Sequence, residues 1–289
     1  MTTTRVKTLC LILCSGMCLF SGCKRTQNIS KSPDRELLHA AENGDKKSMQ
    51  EALKHGANIE AKDDKGQTAL ELAAYSGQTA LVALLLDMGA REKNRALLQA
   101  AGGGPNVLVV IPEGEAHSPL SANSMPEGAA MEFEKTAKLL LDRGADIDAR
   151  DDDGETPLMV AAAFGRTGTA EILLERGAQI EARDNDGNTA LLMAACDCAQ
   201  ATMPDTYEVI GLLLQKGANV NAQNKRDETP LIIASSGGVV KTRIVKLLLE
   251  GGADARIKDS QGETALMIAR KSDVPDVVRL LERWKPKPR

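Results

Sequence analysis

Six times along the chain a glycine followed by alanine closes an apolar run, at Gly56, Gly89, Gly144, Gly177, Gly217 and Gly252. Leucine triplets precede four of these steps, at 84–86, 139–141, 212–214 and 247–249. Gly56 and Gly89 lie 33 residues apart, as do Gly144 and Gly177. Glycine just beyond an apolar helical run suits the C′ position, where the chain turns to a positive φ that costs other residues energy. A period of this size predicts a stack of similar units, none of which can bury its apolar face alone.

A second signal follows most of these glycines by about a dozen residues. It reads Thr68-Ala69-Leu70, Thr156-Pro157-Leu158, Thr189-Ala190-Leu191, Thr229-Pro230-Leu231 and Thr264-Ala265-Leu266. Threonine can cap a helix, and proline fits the first helical position because its missing N–H needs no partner there. Alanine pairs follow, such as Ala73-Ala74 and Ala161-Ala162, and let neighbouring helices approach closely. Between glycine and threonine lie polar turns such as Asp63-Asp64-Lys65-Gly66, Asp152-Asp153-Gly154 and Asn185-Asp186-Gly187, which favour a tight hairpin. Each unit therefore reads as hairpin, helix, short turn, helix and glycine stop.

A 33-residue period carrying T-P-L-x-x-A-A and L-L-L-x-x-G-A resembles the ankyrin-repeat family over residues 34–286. The expected fold is an all-α repeat solenoid, an ankyrin-like stack of about seven helix-turn-helix units with short β-hairpin fingers. The first unit (35–62) and the last (from Gln261) are atypical, as units with solvent on one side should be. The family often has His after T-P-L, where this chain has Glu71, Met159, Leu192, Ile232 and Met267. The four apolar members of that row are either additional core or an apolar strip for a partner.

The resemblance implies a concave face of hairpin tips and first helices that holds a protein partner. On the hairpins its candidate contacts are Glu60, Lys62, Asp148, Arg150, Glu181, Arg183, Asn221 and Gln223. They alternate with Ile59, Ile147, Ile180 and Val220, which predicts one solvated and one packed side. Tyr75 and Phe164, at the ends of first helices, are the expected exposed anchors.

The period breaks in three places. Leu70 to Leu84 and Leu158 to Ile172 are each 14 residues, but the matching interval in unit three, Leu97 to Leu139, is 42. An insertion of about 28 residues thus falls between its helices, near 102–131. Unit five gains seven residues and unit six gains two. Unit three also lacks its hairpin, since Gly89 runs through Arg91-Glu92-Lys93 almost directly into Ala96-Leu97. Within the insertion, 107–111 is apolar and β-branched between Pro105 and Pro112, while 114–128 reads as polar loop. The apolar run either packs on the rim of the solenoid or captures a partner by strand addition.

Ahead of the repeats, Arg5 and Lys7 precede an uncharged, mostly apolar stretch over 8–22. It is shorter than the ~20 residues that span a bilayer, so residues 1–22 are expected to be a signal peptide. The stretch ends in Leu19-Phe20-Ser21-Gly22-Cys23. This is similar to the lipobox of bacterial lipoproteins, although Phe20 stands where a smaller aliphatic residue is usual. The resemblance implies acyl chains of the palmitate type on Cys23 and attachment to the periplasmic face of the outer membrane, with 23–33 as a polar tether. Several acyl chains anchor stably where one alone holds only marginally.

The chain carries six aromatics and a net charge of −4. The first disfavours a sandwich or barrel, and the second disfavours nucleic acid, which calls for a basic face. No catalytic, cofactor-binding or metal-binding set is expected. His39, His55 and His117 lie in separate contexts, His39 being expected half-buried in the first helix. Gly102-Gly103-Gly104 lacks the Lys-Ser/Thr of a phosphate loop, and Asp151-Asp152-Asp153 lacks the spaced donors of a calcium loop. Cys196 and Cys198 are too few for a structural zinc site. The expected function is a non-enzymatic, lipid-anchored envelope scaffold acting as adaptor, assembly factor or inhibitor of the immunity type. The alternatives are an accessory to an envelope enzyme or stress response, and a secreted effector of host proteins.

Overall fold

The computed structural model describes residues 32–103, 129–196, 205–237 and 239–284. The expected signal peptide, Cys23, most of the expected tether and the strand expected at 107–111 lie outside these residues. Among those described there are fourteen helices and no strand. They pair into seven units: α1 (Pro33–Asn43) with α2 (Lys46–Lys54), α3 (Ala69–Tyr75) with α4 (Thr79–Asp87), and α5 (Lys93–Gly102) with α6 (Ala129–Asp142). Then come α7 (Pro157–Ala163) with α8 (Thr167–Glu175), α9 (Ala190–Ala195) with α10 (Asp205–Gln215), α11 (Pro230–Ala234) with α12 (Val239–Glu250), and α13 (Ala265–Lys271) with α14 (Pro275–Arg283). The odd-numbered helices pack against one another in a continuous inner row, and the even-numbered ones from α4 onward form an outer row. None of the described helices is long and apolar enough to cross a membrane.

The glycine–alanine step works as two parts of one stop. Gly177 sits at φ 92°, and the N–H of Ala178 donates back to Leu173 O across 3.0 Å. That bond ties off a carbonyl which the helix end would leave open. Ala90, Ala145, Ala218 and Ala253 close their helices in the same way, at 2.9 to 3.0 Å. At the other end, the hydroxyls of Thr68, Thr156, Thr229 and Thr264 accept from the N–H three residues on, at 3.3 to 3.4 Å. Thr189 has the same extended backbone but makes no side-chain cap.

The fingers are tight turns organised by one side chain. Oδ1 of Asp63, Asp151, Asp184, Asn224 and Asp259 accepts two backbone N–H groups, two and four residues ahead, at 2.7 to 3.1 Å. This is the local bonding that makes Asp and Asn turn residues. Antiparallel pairing is limited to single bridges, Lys62 with Thr68 and Lys258 with Thr264. Successive fingers also join each other: Asn185 N–H donates to Asp153 O, Lys225 N–H to Asp186 O, and Ser260 N–H to Arg226 O, each at 2.9 Å.

Unit three is the irregular one, as its sequence predicts. Helix α5 begins at Lys93 with no finger before it, and the insertion leaves from Gly103. The buried apolar side chains form two clusters that meet here, with Ala96, Leu97 and Ala100 in the first and Ala101 in the second.

The row after T-P-L is mostly core. Met159, Leu192 and Ile232 are 1%, 1% and 3% exposed, whereas Met267, in the last described unit, is 51% exposed. In the same unit Arg270 pairs with Glu282 across 2.6 Å. Glu71 is fully buried in the same row, with Arg95 Nε of unit three 3.4 Å from its Oε2. Burial pushes its carboxyl up, and Arg95 and the Thr68 hydroxyl only partly offset this.

Candidate functional site

Four of the eight finger residues singled out in the sequence hold the next unit by its backbone. Glu60 Oε1 accepts from Arg91 N–H at 2.8 Å, Asp148 Oδ1 from Gln179 N–H at 3.0 Å, Glu181 Oε1 from Asn219 N–H at 2.7 Å, and Asn221 Oδ1 from Asp254 N–H at 2.8 Å. Asp34 and Asn94 complete the series, accepting from Asn58 and Asp146 at 2.6 and 2.8 Å. A side-chain oxygen of every unit from the first to the sixth thus clasps the start of its neighbour.

The other four sit at the finger bases. Arg150 Nη1 donates to Gly154 O at 2.8 Å and to Arg183 O at 2.6 Å, while Arg183 Nη1 donates to Gly187 O and Gln223 O at 2.7 and 2.6 Å. Gln223 Nε2 donates to Asp227 O at 2.9 Å. Lys62 is exposed at the second finger. The structure therefore gives seven of these eight residues a part in spacing the units, a role the sequence reading missed. The exposed groups lie further out: Asp152, Asp153 and Asp186 on fingers four and five, and Lys225 and Arg226 on finger six. On finger six Asp227 is exposed as well, Lys225 Nζ donates to Asn185 O at 2.6 Å and Arg226 pairs with Glu228 at 2.9 Å, so the uncompensated exposed charge is the acid of fingers four and five.

Tyr75 and Phe164 were expected at the surface and are instead half-buried. They lie at the C-terminal ends of α3 and α7, flanking the point where the insertion leaves α5. A Cβ added at Gly102 would meet the Phe164 ring at 3.2 Å, and one at Gly103 would meet Tyr75 O at 2.8 Å. The buried Phe133 completes the cluster, and Arg166 lies 5.9 Å over its ring while Nη2 donates to Gly103 O at 2.9 Å. Burial pushes the Tyr75 phenol up, the Arg166 charge working against it. On the other side, Thr79 Oγ1 donates to Glu132 O at 3.2 Å, near the start of α6. Both ends of the insertion are thereby fastened to units two and four. All three lengthened connections, after α5, α9 and α11, leave from the ends of inner helices, the edge away from the fingers.

His39 is exposed, not half-buried, because its side of α1 faces away from the core. Cys196 lies at the end of α9, half-buried, and Cys198 falls outside the described residues. Among the described residues no group of three or more His, Cys, Asp or Glu side chains could hold a metal ion.

The family described as ankyrin repeats in three copies matches residues 10–107, 128–224 and 197–286. The chain is an ankyrin-repeat protein. Such repeats serve protein–protein interaction. Residues 108–127, inside the insertion, are the part of the repeat domain that the matches leave out. The chain is also 30% identical over 138 residues to the transient receptor potential cation channel subfamily A member 1 homolog of Caenorhabditis elegans. That alignment covers 48% of this ankyrin chain and 10% of the channel homolog.

Proposed function

We propose that this ankyrin-repeat protein is a lipid-anchored, non-enzymatic scaffold of the bacterial envelope, binding one protein partner as an adaptor, assembly factor or immunity-type inhibitor. The observation that carries the binding role is the division of labour on the fingers. Inner side chains are engaged in the stack, while the outer acids Asp152, Asp153 and Asp186 of fingers four and five are exposed on a fixed frame. Such a surface suits a partner with a basic contact face. Exposed charge pairs of this kind act more on association rate than on affinity and weaken with salt. The anchor rests on the Leu19-Phe20-Ser21-Gly22-Cys23 pattern, and the fastened insertion gives the partner a second place to bind.

The test is to cross-link the tagged protein in its native cells, with Cys23→Ala as the control. One stoichiometric partner, lost in the control, is the expected result. No partner in either sample removes the envelope-scaffold reading and favours an external target. Deleting 105–126 separates the two contact surfaces: loss of the partner with intact helical signal places binding on the insertion, and retention places it on the fingers.

A further inference from the structure

The residue just before each helix-starting threonine lies at a joint between fingers, and its chemistry differs from unit to unit. In unit five it is Asn188, which receives a hydrogen bond at Oδ1 from Asn224 Nδ2 of unit six, 3.1 Å away. In unit six it is Glu228, with Arg226 Nη2 2.9 Å from its Oε2. In unit seven it is Glu263, with Lys271 Nζ at 3.2 Å. In unit four it is Glu155, 6% exposed, and no cation pairs with it among the described residues. The register partner from the next finger is here not Asn but Asp184.

The charged groups around Glu155 are accounted for. Asp151 and Asp153 come from its own finger and Asp184 from the next, and all three push its carboxyl further up after burial itself, to about 7. Asp151 Oδ1 and Asp184 Oδ1 are each already accepting two backbone N–H groups, and Asp184 Oδ2 accepts from Asn188 Nδ2 at 2.8 Å. Arg150 and Arg183, the cations of the two fingers, direct Nη1 at carbonyl oxygens. On the finger-less side, Lys93 Nζ is spent on Arg143 O at 2.8 Å and Arg95 faces Glu71. What relieves this site without rearrangement is therefore a proton.

We propose that the joint between fingers four and five is a proton-controlled coupling, closed when Glu155 carries a proton it can share with the carboxylates of its neighbours and loosened when Glu155 is ionised. Protonated, Glu155 adds no fourth negative charge to those of Asp151, Asp153 and Asp184, just as the neutral Asn188 and Asn224 amides add none one joint further on. Ionised, it faces three carboxylates in a poorly solvated place, and both burial and like charge then oppose the closed joint. The stack thus has one joint whose firmness changes around neutral pH, next to the unit that lacks a finger.

The test uses the full chain, with two readouts. The first is the carbon-13 shift of the Glu155 carboxyl, expected to titrate near neutral pH. The second is hydrogen exchange at Asn185 N–H, the bond between fingers four and five, against Lys225 N–H, the bond between fingers five and six. Linkage predicts that protection at Asn185 falls about tenfold relative to Lys225 between about pH 6 and pH 8. Glu155→Gln abolishes that difference, and Asp184→Asn, which copies the amide that Asn224 places at the next joint, reduces it. A carboxyl titrating in the ordinary glutamate range, equal change at both joints, or a difference that survives both substitutions overturns the proposal.

Discussion

Glu181 Oε1 and the backbone N–H of Asn219 meet at 2.7 Å across the boundary between units five and six. An exposed glutamate thereby holds the first turn of the next unit in place. Glu181→Ala leaves that N–H to solvent and is expected to cost about 1 kcal/mol, the usual net value of one such bond. Glu181→Gln keeps an oxygen in position and should recover most of it. Lys62→Ala, at an exposed side chain outside this series, should change stability by less than about 0.5 kcal/mol. Urea denaturation of the three variants checks the set, and equal losses at Glu181 and Lys62 would remove the clasp from the account.

Leu192 and Met267 occupy the same row but differ in cover, 1% against 51% exposed. Leu192→Ala should cost about 3 kcal/mol, as core truncations do, because units on both sides enclose the cavity it leaves. Met267→Ala, at an exposed position, should cost less than about 1 kcal/mol. Thermal melts that show similar losses would mean that Met267 is covered in solution.

Glu155, with its carboxyl raised to about 7, makes stability depend on pH. The folded chain holds this proton more tightly than the unfolded chain does. Stability from this group is therefore full below the ordinary glutamate range and is lost as pH climbs through about 7. Glu155→Gln should accordingly change little at acid pH and stabilise by up to about 3 kcal/mol at pH well above 7. Parallel urea titrations at the two extremes measure this, and a gain confined to acid pH would reverse the sign.

Asp227 stands at φ 57° in finger six, where the corresponding Gly66, Gly154, Gly187 and Gly262 lie at 77° to 82°. A left-handed backbone is strained for a residue with a Cβ, so Asp227→Gly should stabilise by about 0.5 kcal/mol. A drop in melting temperature would show that the aspartate side chain holds the turn.

Much of the frame could be read from residue spacing because its determinants are local. Gly177 and Ala178 close a helix whose carbonyls lie within five residues, and Thr229 caps an N–H three residues on. The missing finger of unit three was equally visible, since Gly89 leaves no room for one before Lys93. The clasps were not, because donor and acceptor lie 24 to 52 residues apart and the acceptor is Asp, Glu or Asn in turn. Their alternation with Ile59, Ile147, Ile180 and Val220 was visible, but it marks only which side is solvated, not what that side holds. Tyr75 and Phe164 differ from the expectation for a related reason: the end of α5 at Gly102 and Gly103, far from both in sequence, packs against them. Glu155 could have been found by aligning the residue before each threonine, Gln67, Glu155, Asn188, Glu228 and Glu263, and asking which acid lacks a nearby base.

Each clasp joins a side-chain oxygen to a peptide N–H, so it makes no demand on the side chain of the receiving residue. Asn58, Asp146, Asn219 and Asp254 also accept at Oδ1 from the N–H two residues on, at 2.9 to 3.1 Å. But Arg91 and Gln179 take the same place in the series, so the clasp itself does not depend on that side chain. A unit can therefore be duplicated, deleted or exchanged for another without rewriting the residues it lands beside, provided an oxygen-bearing side chain stands at one position. The joints behave like a standard thread cut on dissimilar parts, leaving the outward surface of every unit to diverge separately.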